Sequence, residues 1–531
     1  MRPTVWTPRQ KRTVWLDFKT GQGITDNGAT VRPKIGDRRK NPNLADLLDT
    51  AQALGAERIM LTGKVPDVAP GKAHWLIVRT PGWTPGGHWL NKPVTGRFTH
   101  DVSGQELEVR TAEEWFGLDE LTPTQARDAW TLTSTALAEA VPGAVMFLTP
   151  AGTGANAWAL SLPKSIDPPT LPGDIAEELH LTSGQHRIEH LTTGPDRCDC
   201  GACLPLVDAE ATPTLETFSY VDGRFMYAGV CRELGTGPAR RLNGTHAADL
   251  LELDPYARAR FKVRVTVPDD WRHVGLFGVK HEEVSAGWHY PNQPGTTWET
   301  WADGAEIKIA RDAGWFVHPL EAVEFTKARV LDTFADRMVR ARERVNAAPD
   351  AEPQVRRAAA AALRSMLIQT IGNFASRIKG RTVTVWSARE VPAEYVHTIK
   401  RFGDAWTYEQ PGRPHTERTL PYYRPELAAQ VWGRARARVL RGPTGLAGVS
   451  GGVLAMDPGT ILGINGDAIY STVVPGWALP TAQGGGDDGK VGRLRVKGVL
   501  KDVRTPRGAE ERNVLRAKAE AVGVPGWEAD V

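Results

Sequence analysis

The sequence has few cysteines and no long apolar run, and both absences narrow the classes of protein that it can encode. Only four cysteines occur among 531 residues, too few for a disulfide-stabilised scaffold, which predicts a reducing, cytoplasmic environment. No apolar run reaches membrane-spanning length, and the N-terminal residues have no apolar signal core. The formal net charge is only +3, so overall charge does not identify a partner. The sequence predicts a soluble protein of several domains with no membrane partner.

Two short strings, far apart in the chain, each place one aspartate beside β-prone residues. They are Tyr220-Val-Asp-Gly-Arg-Phe-Met-Tyr227 and Ile464-Asn-Gly-Asp-Ala-Ile-Tyr470. A strand end or a tight hairpin at either place would present a carboxylate. If folding brings Asp222 and Asp467 together, the two carboxylates can hold two Mg²⁺ ions and support phosphoryl transfer. The alternative is that each aspartate belongs to an ordinary turn.

Between these strings, a helical repeat of apolar residues predicts a long helix over residues 355–379. Arg357, Arg364 and Ile371 fall seven residues apart and are expected to share one stripe of this helix. A basic stripe together with an acidic pair suits the binding of a nucleoside triphosphate. A solvated basic face on a core helix is the alternative. The expected apolar positions are Leu363, Leu367, Ile371, Phe374 and Ile378.

The order of these elements resembles that of the family B DNA polymerases, most nearly the compact, protein-primed kind of phages and plasmids. The family's first motif is Asp-x-x-Ser-Leu-Tyr, and Asp222 and Tyr227 keep its Asp and Tyr. The third motif is Asp-Thr-Asp-Ser, of which Asp467 keeps the second Asp while Asn465 replaces the first. The segment that begins at Tyr423 resembles the family's palm helix, which opens after a proline. The resemblance covers about residues 216–500.

The second motif of the family, Lys-x-x-x-Asn-x-x-Tyr-Gly, is kept only in part. Arg364 takes the place of its Lys and Gly372 that of its Gly, whereas Ile368 and Ile371 replace its Asn and Tyr. The substitutions at Ile368, Ile371 and Asn465 favour an alternative, a catalytically inactive polymerase-fold protein with a DNA-binding or regulatory role. The two retained aspartates oppose it. A nuclease or another nucleotidyltransferase with the same acidic pair is a third hypothesis.

The resemblance implies a multidomain fold of α/β and α+β character. An N-terminal α/β exonuclease-like domain would precede a polymerase palm with helical fingers and a small thumb. The expected parts are 1–165 (N-terminal domain), 166–215 (connector), 216–330 (first part of the palm), 331–415 (fingers and insertion), 416–475 (second part of the palm) and 476–531 (basic, thumb-like region).

The resemblance also implies roles for individual residues. Asp222 and Asp467 would be the catalytic residues and would hold two Mg²⁺ ions. The expected partners are primer-template DNA, dNTPs and a priming or accessory protein. The incoming nucleotide would contact Tyr227, Arg364, Gly372 and Arg224, with Tyr227 excluding a ribose 2′-hydroxyl; the DNA would contact Arg493, Arg495 and Lys497.

The N-terminal region departs from the family at its first exonuclease motif. Alternating strand and helix patterns predict an α/β domain, with a strand at Thr13–Thr20, helices at 44–54 and 122–140, and a further strand at 58–62. The family usually has Asp-Phe-Glu-Thr on the first strand, whereas this chain has Asp17-Phe-Lys19-Thr20. An ammonium group at Lys19 would repel Mg²⁺, so we expect no proofreading. An unrelated α/β domain with a chance tetrapeptide is the alternative.

The cysteines raise a separate hypothesis. Cys198, Cys200 and Cys203 lie within six residues of each other, and three thiolates of one loop could hold a zinc ion. The alternative is an exposed, reduced loop. Cys231, which stands alone, is expected in the core.

Two clusters of basic residues and one acidic loop complete the candidate features. Arginines at 434, 436, 438 and 441 on the expected palm helix could follow a phosphate backbone or simply form a solvated surface. The basic residues at 490–501 lie in a non-helical stretch that suits contact with DNA. Asp487 and Asp488, in the glycine-rich loop before them, are expected to be solvated.

Overall fold

The chain divides into two compact units, and each unit is built from two separate stretches of sequence. The first unit combines Ser161–Val339 with Pro421–Asp530, and the second combines Pro3–Leu160 with Arg340–Leu420. The computed structural model describes residues 2–35, 39–64, 80–85, 96–117, 121–168, 170–182, 188–193, 201–280, 288–377, 380–402, 405–412, 414–442 and 451–524.

A seven-stranded mixed sheet forms the N-terminal part of the second unit. Its strand order is β3-β2-β1-β4-β7-β6-β5, and β1 pairs in parallel with β4, which pairs in parallel with β7. The elements are β1 (Thr13–Asp17), β2 (Gly23–Thr25), β3 (Thr30–Val31), α1 (Leu44–Ala53), β4 (Arg58–Thr62), β5 (Trp83–Pro85), β6 (Gly96–His100), β7 (Glu106–Thr111), α2 (Ala112–Phe116), α3 (Pro123–Ala140) and α4 (Pro150–Ser161).

The local sequence explains the ends of these helices. Asn43 and Asp46 form a capping box that begins α1, and Thr122 and Gln125 form another at the start of α3. The helices predicted at 44–54 and 122–140 are therefore confirmed, as is the strand at 58–62. The first predicted strand is shorter than expected, because β1 ends at Asp17 and a turn follows.

In the described residues, the first unit contains a four-stranded, a two-stranded and a five-stranded antiparallel sheet. Residues 173–182 of the predicted connector form a helix whose Ile175 and Leu179 pack against Trp301 and Phe325. The elements are α5 (Gly173–Thr182), β8 (Ile188–His190), β9 (Thr214–Gly223), α6 (Met226–Val230), β10 (Gly235–Asn243), α7 (Gly244–Leu253), β11 (Ala259–Thr266), β12 (Val279–Lys280), β13 (Trp288–His289), β14 (Thr297–Asp303), α8 (Gly304–Asp312), β15 (Phe316–Lys327) and α9 (Asp332–Asn346), which runs on into the second unit.

The long predicted helix lies in the second unit and ends earlier than expected. Its end at Phe374 leaves Ile378 outside the helix and outside the described residues. Within this unit it packs closely on α4, since a Cβ atom on Gly154 would lie 2.0 Å from the Oγ1 atom of Thr370. The elements here are α10 (Pro353–Phe374), β16 (Arg381–Val385), β17 (Lys400–Phe402) and β18 (Ala405–Gln410).

The C-terminal stretch belongs to the first unit and completes its five-stranded sheet. That sheet has the order β21-β9-β20-β19-β8, so β9 lies between strands that come from the far end of the chain. The elements are α11 (Pro425–Leu440), β19 (Ile461–Asn465), β20 (Ala468–Ser471), β21 (Leu494–Arg504) and α12 (Ala509–Val522). Helix α11 confirms the helix predicted after Tyr423, with Pro425 in its first turn.

The core of this sheet is aromatic on the face that α12 covers. Phe218, Tyr220 and Tyr470 stack in a row, with ring centroids 6.0 Å apart for Phe218–Tyr470 and 5.6 Å for Tyr220–Tyr470. Ala519 of α12 belongs to the same cluster. Phe218, Tyr220 and Asp222 alternate along β9 and therefore share one face of the sheet. Within the described ranges, none of the helices combines the length and apolar character needed to cross a bilayer.

Candidate active site

Asp222 lies at the end of β9, between two neighbouring strands. Val221 pairs with Ile469 of β20 on one side, and Asp222 itself pairs with Arg495 of β21 on the other. The residue is only 1% exposed. A carboxylate at such a place needs polar or cationic neighbours, because burial otherwise penalises its charge.

Asp467 lies in the turn that joins β19 to β20. Asn465 pairs with Ala468, which leaves Gly466 and Asp467 as a two-residue turn. Gly466 has a φ of +61°, the left-handed conformation that tight hairpins of this length require. The local sequence therefore favours this turn, and the turn fixes the direction in which the Asp467 side chain projects from the hairpin.

The sheet brings Asp467 next to Gly223, the residue that follows Asp222. Continuing the pairing of Ile469 with Val221 by two residues sets Asp467 opposite Gly223. In agreement, a Cβ atom on Gly223 would lie only 2.6 Å from the Oδ2 atom of Asp467. The missing side chain of Gly223 thus leaves the space that the Asp467 carboxylate occupies, one residue along β9 from Asp222. Both donors are carboxylate oxygens, the ligand type that Mg²⁺ prefers, so the residues fit a magnesium site.

Lys497 lies beside Asp222. Its Nζ atom lies 3.3 Å from the Oδ2 atom of Asp222 and 2.8 Å from the Oε1 atom of Glu520 on α12. The ammonium group also lies 5.6 Å from the centre of the Tyr220 ring. The pairing of β21 with β9 shifts between Val496 and Gly498, which makes Lys497 the extra residue of a β-bulge. Bulges re-aim a side chain, and here the result is a cation beside the buried aspartate.

Two arginine–aspartate pairs fix the loop that precedes β21. Arg224 contacts Asp487 through two hydrogen bonds, Nε to Oδ1 at 3.2 Å and Nη2 to Oδ2 at 2.7 Å. Arg493 contacts Asp488 in the same way, at 2.8 and 2.9 Å. The hydrogen bonds from Arg493 hold the pKa of the Asp488 carboxyl far below its usual range.

The prediction that Asp487 and Asp488 are solvated is therefore wrong. Their side chains are 6% and 3% exposed, because the loop folds back on the turn that follows β9. Backbone hydrogen bonds join the same segments, from the amide of Arg224 to the carbonyl of Arg493 and from Gly492 to Arg224. Arg224, expected to bind nucleotide, and Arg493, expected to bind DNA, are thus engaged within the unit.

Tyr227 lies in the short helix α6 directly after Asp222 and is half-buried. Phe225, which precedes this helix, has a left-handed backbone with a φ of 48°. Gly229 holds α6 against the loop, since a Cβ atom there would lie 2.9 Å from the Cα atom of Gly492. Arg438 of α11 donates a hydrogen bond to the carbonyl of Gly492 at 3.2 Å. The Tyr227 side chain is therefore carried by a tightly packed turn.

The other arginines of α11 have partners within the unit. Arg434 donates to the carbonyl of Arg232 at 2.8 Å. Arg436 donates to the carbonyl of Gly275 at 3.0 Å, and its guanidinium lies 3.9 Å from the centre of the Tyr290 ring. Arg441 pairs with Asp312 at 2.7 Å. These contacts favour a structural role for the cluster over the phosphate-binding hypothesis.

Arg364 and Gly372 belong to the second unit, on α10. Gly372 and Ile368 are exposed, and Arg364 is half-buried, whereas Ile371 is fully buried. The expectation that Ile371 shares a stripe with Arg357 and Arg364 is therefore wrong. A straight helix drifts by about 20° per seven residues, so the stripe turns from the exposed Arg357 towards the core.

The second unit also contains the aspartate of the apparent exonuclease motif. The Oδ1 atom of Asp17 accepts hydrogen bonds from the amide and the hydroxyl of Thr20, each at 2.7 Å. Lys19 is exposed at the tip of the same turn. Asp17 thus stabilises the turn that follows β1.

The zinc hypothesis stays a prediction. Cys198 and Cys200 lie outside the described residues, while Cys203 is half-buried. In the part of the chain that the structure describes, no group of three or more histidine, cysteine or acidic side chains could hold a metal ion. Cys231 is buried, which raises the pKa of its thiol, and its expected place in the core is confirmed.

Sequence reasoning missed Glu520 and misassigned the two aspartates of the loop. Glu520 gave no signal, because it approaches Lys497 only through the packing of α12 on β21. For Asp487 and Asp488 the sequence did contain a signal for ion pairing. Residues 489–501, which follow them, contain five basic residues and no acidic one.

The comparison with solved structures identifies the fold. Phi29 DNA polymerase, in a ternary complex with primer-template DNA and incoming nucleotide, matches with a TM-score of 0.53 and 10% sequence identity. The match covers 93% of this chain and 86% of that one. An orthorhombic crystal form of phi29 DNA polymerase matches over the same shares with a TM-score of 0.51. The chain has a DNA polymerase fold.

This fold agrees with the expected mixed α/β, multidomain architecture, while the expected domain boundaries stay a prediction. No protein-family model matches the sequence, and no curated protein matches it. At 10% identity the likeness establishes the fold alone, so the chemistry has to be argued from the residues of this chain.

Proposed function

We propose that the chain is a DNA-directed DNA polymerase that uses Asp222 and Asp467 as its catalytic carboxylates. The observation that supports the proposal is the contact of Asp467 with Gly223, the residue that follows Asp222 at the end of β9. The polymerase fold supports the same reading. Primer-template DNA and dNTPs are the proposed partners, together with a priming or accessory protein.

The two carboxylates would hold two Mg²⁺ ions, which supply activation of the primer hydroxyl and neutralisation of the pyrophosphate leaving group. The protein itself positions the reactants. Arg364 would bind the triphosphate through its guanidinium fork, and Gly372 on the same helix would also contact the nucleotide. Arg495, which pairs with Asp222 across the sheet, and Lys497 would contact the DNA backbone near the primer end. Lys19 stands where the motif of the family has a metal-binding carboxylate, so we propose that the enzyme lacks proofreading.

Extension of a labelled primer-template with Mg²⁺ and each dNTP tests the activity. Removing one metal ligand should lower the rate by several orders of magnitude, because metal and carboxylate stabilise charge that develops in the transition state. We expect Asp222→Ala and Asp467→Ala proteins to bind DNA but not to extend it. An Asp467→Ala protein that extends primers at the wild-type rate would contradict the assignment of Asp467 as a catalytic carboxylate.

The alternative is an inactive polymerase-fold protein that binds DNA or regulates another process. The ion pair of Lys497 with Asp222 favours it, because a cation on a metal-binding carboxylate opposes metal binding. The same assay separates the two: DNA binding with no extension by the unmodified chain, at any Mg²⁺ or Mn²⁺ concentration, supports the inactive protein.

Sugar discrimination tests the proposed place of Tyr227. A ring packed under the sugar would clash with a 2′-hydroxyl, so the unmodified chain should prefer dNTPs to NTPs. Tyr227→Ala should raise ribonucleotide use, whereas Tyr227→Phe, which keeps the ring, should not. The readout is the ratio of kcat/KM for dNTP and NTP. Equal use of both by the unmodified chain contradicts the assignment and points to a primase-like enzyme.

A further inference from the structure

Glu520 of the C-terminal helix stands in direct contact with the cation beside Asp222. Its Oε1 atom lies 2.8 Å from the Nζ atom of Lys497, closer than the 3.3 Å that separates this Nζ atom from Asp222. The Lys497 side chain is only 14% exposed. One ammonium group is therefore shared between two carboxylates, and the nearer of them is Glu520.

Backbone packing fixes the position of Glu520. Helix α12 lies so close to β21 that a Cβ atom on Gly498 would be 1.9 Å from the carbonyl oxygen of Ala519. Gly498 directly follows the bulged Lys497, and Ala519 directly precedes Glu520. Lys497 and Glu520 are thus each the chain neighbour of a residue in this close contact between β21 and α12.

The charges around Asp222 explain what this arrangement can do. With Lys497 alone, the buried aspartate would face a cation at contact distance, which would weaken its attraction for a divalent metal ion. Glu520 offsets that cation through its own ion pair with the same ammonium group. Asp222, Lys497 and Glu520 together carry a formal charge of −1, in place of zero without Glu520, which favours a divalent ion. Arg516 of the same helix also interacts with Glu520.

We propose that Glu520 is a positioning residue that shares the ammonium group of Lys497 with Asp222 and so keeps the two-aspartate site competent for metal ions. The inference rests on the proposed function, since it takes Asp222 and Asp467 as metal ligands. It gives the C-terminal helix a part in the site that neither the sequence motifs nor the polymerase fold assigns to it.

Direct Mn²⁺ binding to the full chain, measured by titration calorimetry and by the electron paramagnetic resonance signal of free Mn²⁺, tests the proposal without DNA or nucleotide. Glu520→Gln should weaken binding by roughly fivefold, a modest effect because Glu520 is half-exposed and screened by solvent. Lys497→Met should strengthen it. Glu510→Gln is the matched control, because Glu510 is exposed near the other end of α12, about 15 Å away along the helix.

The double variant Lys497→Met, Glu520→Gln tests whether Glu520 acts through Lys497. If it does, Glu520→Gln should have little effect once the ammonium group is gone. An undiminished effect in the Lys497→Met background overturns the proposal, as does a Glu520→Gln protein that binds Mn²⁺ like the Glu510→Gln control.

Asp467→Ala separates this proposal from the proposed function. If the unmodified chain and the Asp467→Ala chain bind Mn²⁺ equally, the two-aspartate site itself is wrong. If Asp467→Ala loses a binding site and Glu520→Gln does not weaken it, the metal site stands and only the role of Glu520 is wrong.

Discussion

Asp222 and Asp17 are alike in sequence and in local structure, yet their surroundings differ. Each follows hydrophobic strand residues, and each strand is buried. A glycine makes room for a carboxylate at both places: a Cβ atom on Gly63 would lie 2.7 Å from the Oδ2 atom of Asp17, and one on Gly223 would lie 2.6 Å from that of Asp467. The two aspartates differ in their partners. Asp17 accepts hydrogen bonds from Thr20 of its own turn, whereas residues from the far end of the chain surround Asp222.

This difference shows what converts an acidic strand end into a candidate site. The hydrogen bonds from Thr20 satisfy Asp17 locally and leave Lys19 exposed. Asp222 receives a cation from the bulge in β21, and the β19–β20 turn brings Asp467 against the neighbouring Gly223. Several charged groups that converge from separate segments are typical of sites that bind metal ions or charged substrates.

The largest expected effect concerns the pair that supports the turn after Asp222. Asp487→Ala leaves the buried guanidinium of Arg224 without its carboxylate and should lower the free energy of unfolding by about 3–5 kcal/mol. The counterpart beside Asp17 is Thr20→Ala, which removes an exposed hydrogen bond and should cost only about 1 kcal/mol. Urea denaturation of both variants measures the difference. Equal losses would show that Arg224 and Asp487 do not form the buried pair.

The second prediction tests the space beside Asp467. Gly223→Ala puts a methyl group against the Asp467 carboxylate and the Cβ atom of Met226. A shift of the carboxylate by about 1 Å should lower primer extension about 100-fold while DNA binding persists. Gly63→Ala is the matched control, since it crowds Asp17 and also strains a φ of +75°. It should destabilise the fold by about 1 kcal/mol and leave the rate of extension unchanged in protein that remains folded.

A Gly223→Ala protein with the wild-type rate would contradict this comparison. So would a Gly63→Ala protein that is folded but inactive, because the chemistry would then depend on the region around Asp17. Thermal unfolding recorded beside each assay separates a displaced carboxylate from a damaged fold.

The smallest effect is expected at Asp17 itself. Asp17→Ala should leave primer extension unchanged and lower the free energy of unfolding by about 1 kcal/mol through the lost hydrogen bonds to Thr20. The unmodified chain should not degrade single-stranded DNA in the presence of Mg²⁺ or Mn²⁺. Nuclease activity that disappears in the Asp17→Ala variant would show that this aspartate also belongs to a metal site.

Local patterns predicted much of the fold, because the forces that begin and end elements act over a few residues. The helices predicted at 44–54 and 122–140 begin at the capping residues Asn43 and Thr122, and the tight turn expected at Asp467 forms with Gly466 in the left-handed conformation. The same reasoning failed at Ile371, because seven-residue spacing hides a slow rotation around the helix. It failed again at Asp487, whose burial depends on an arginine far away in the chain.

By itself, the sequence determined which residues could carry the chemistry: two aspartates at a strand end and in a turn, with a tyrosine after the first and a basic strand near the C-terminus. Periodicity and turn residues suffice for this, since both act locally. Only the tertiary structure decided that Gly223 admits the Asp467 carboxylate, that the bulge turns Lys497 onto Asp222, and that Glu520 takes hold of the same ammonium group. These contacts depend on strand register and helix packing, which join segments that no spacing in the sequence relates.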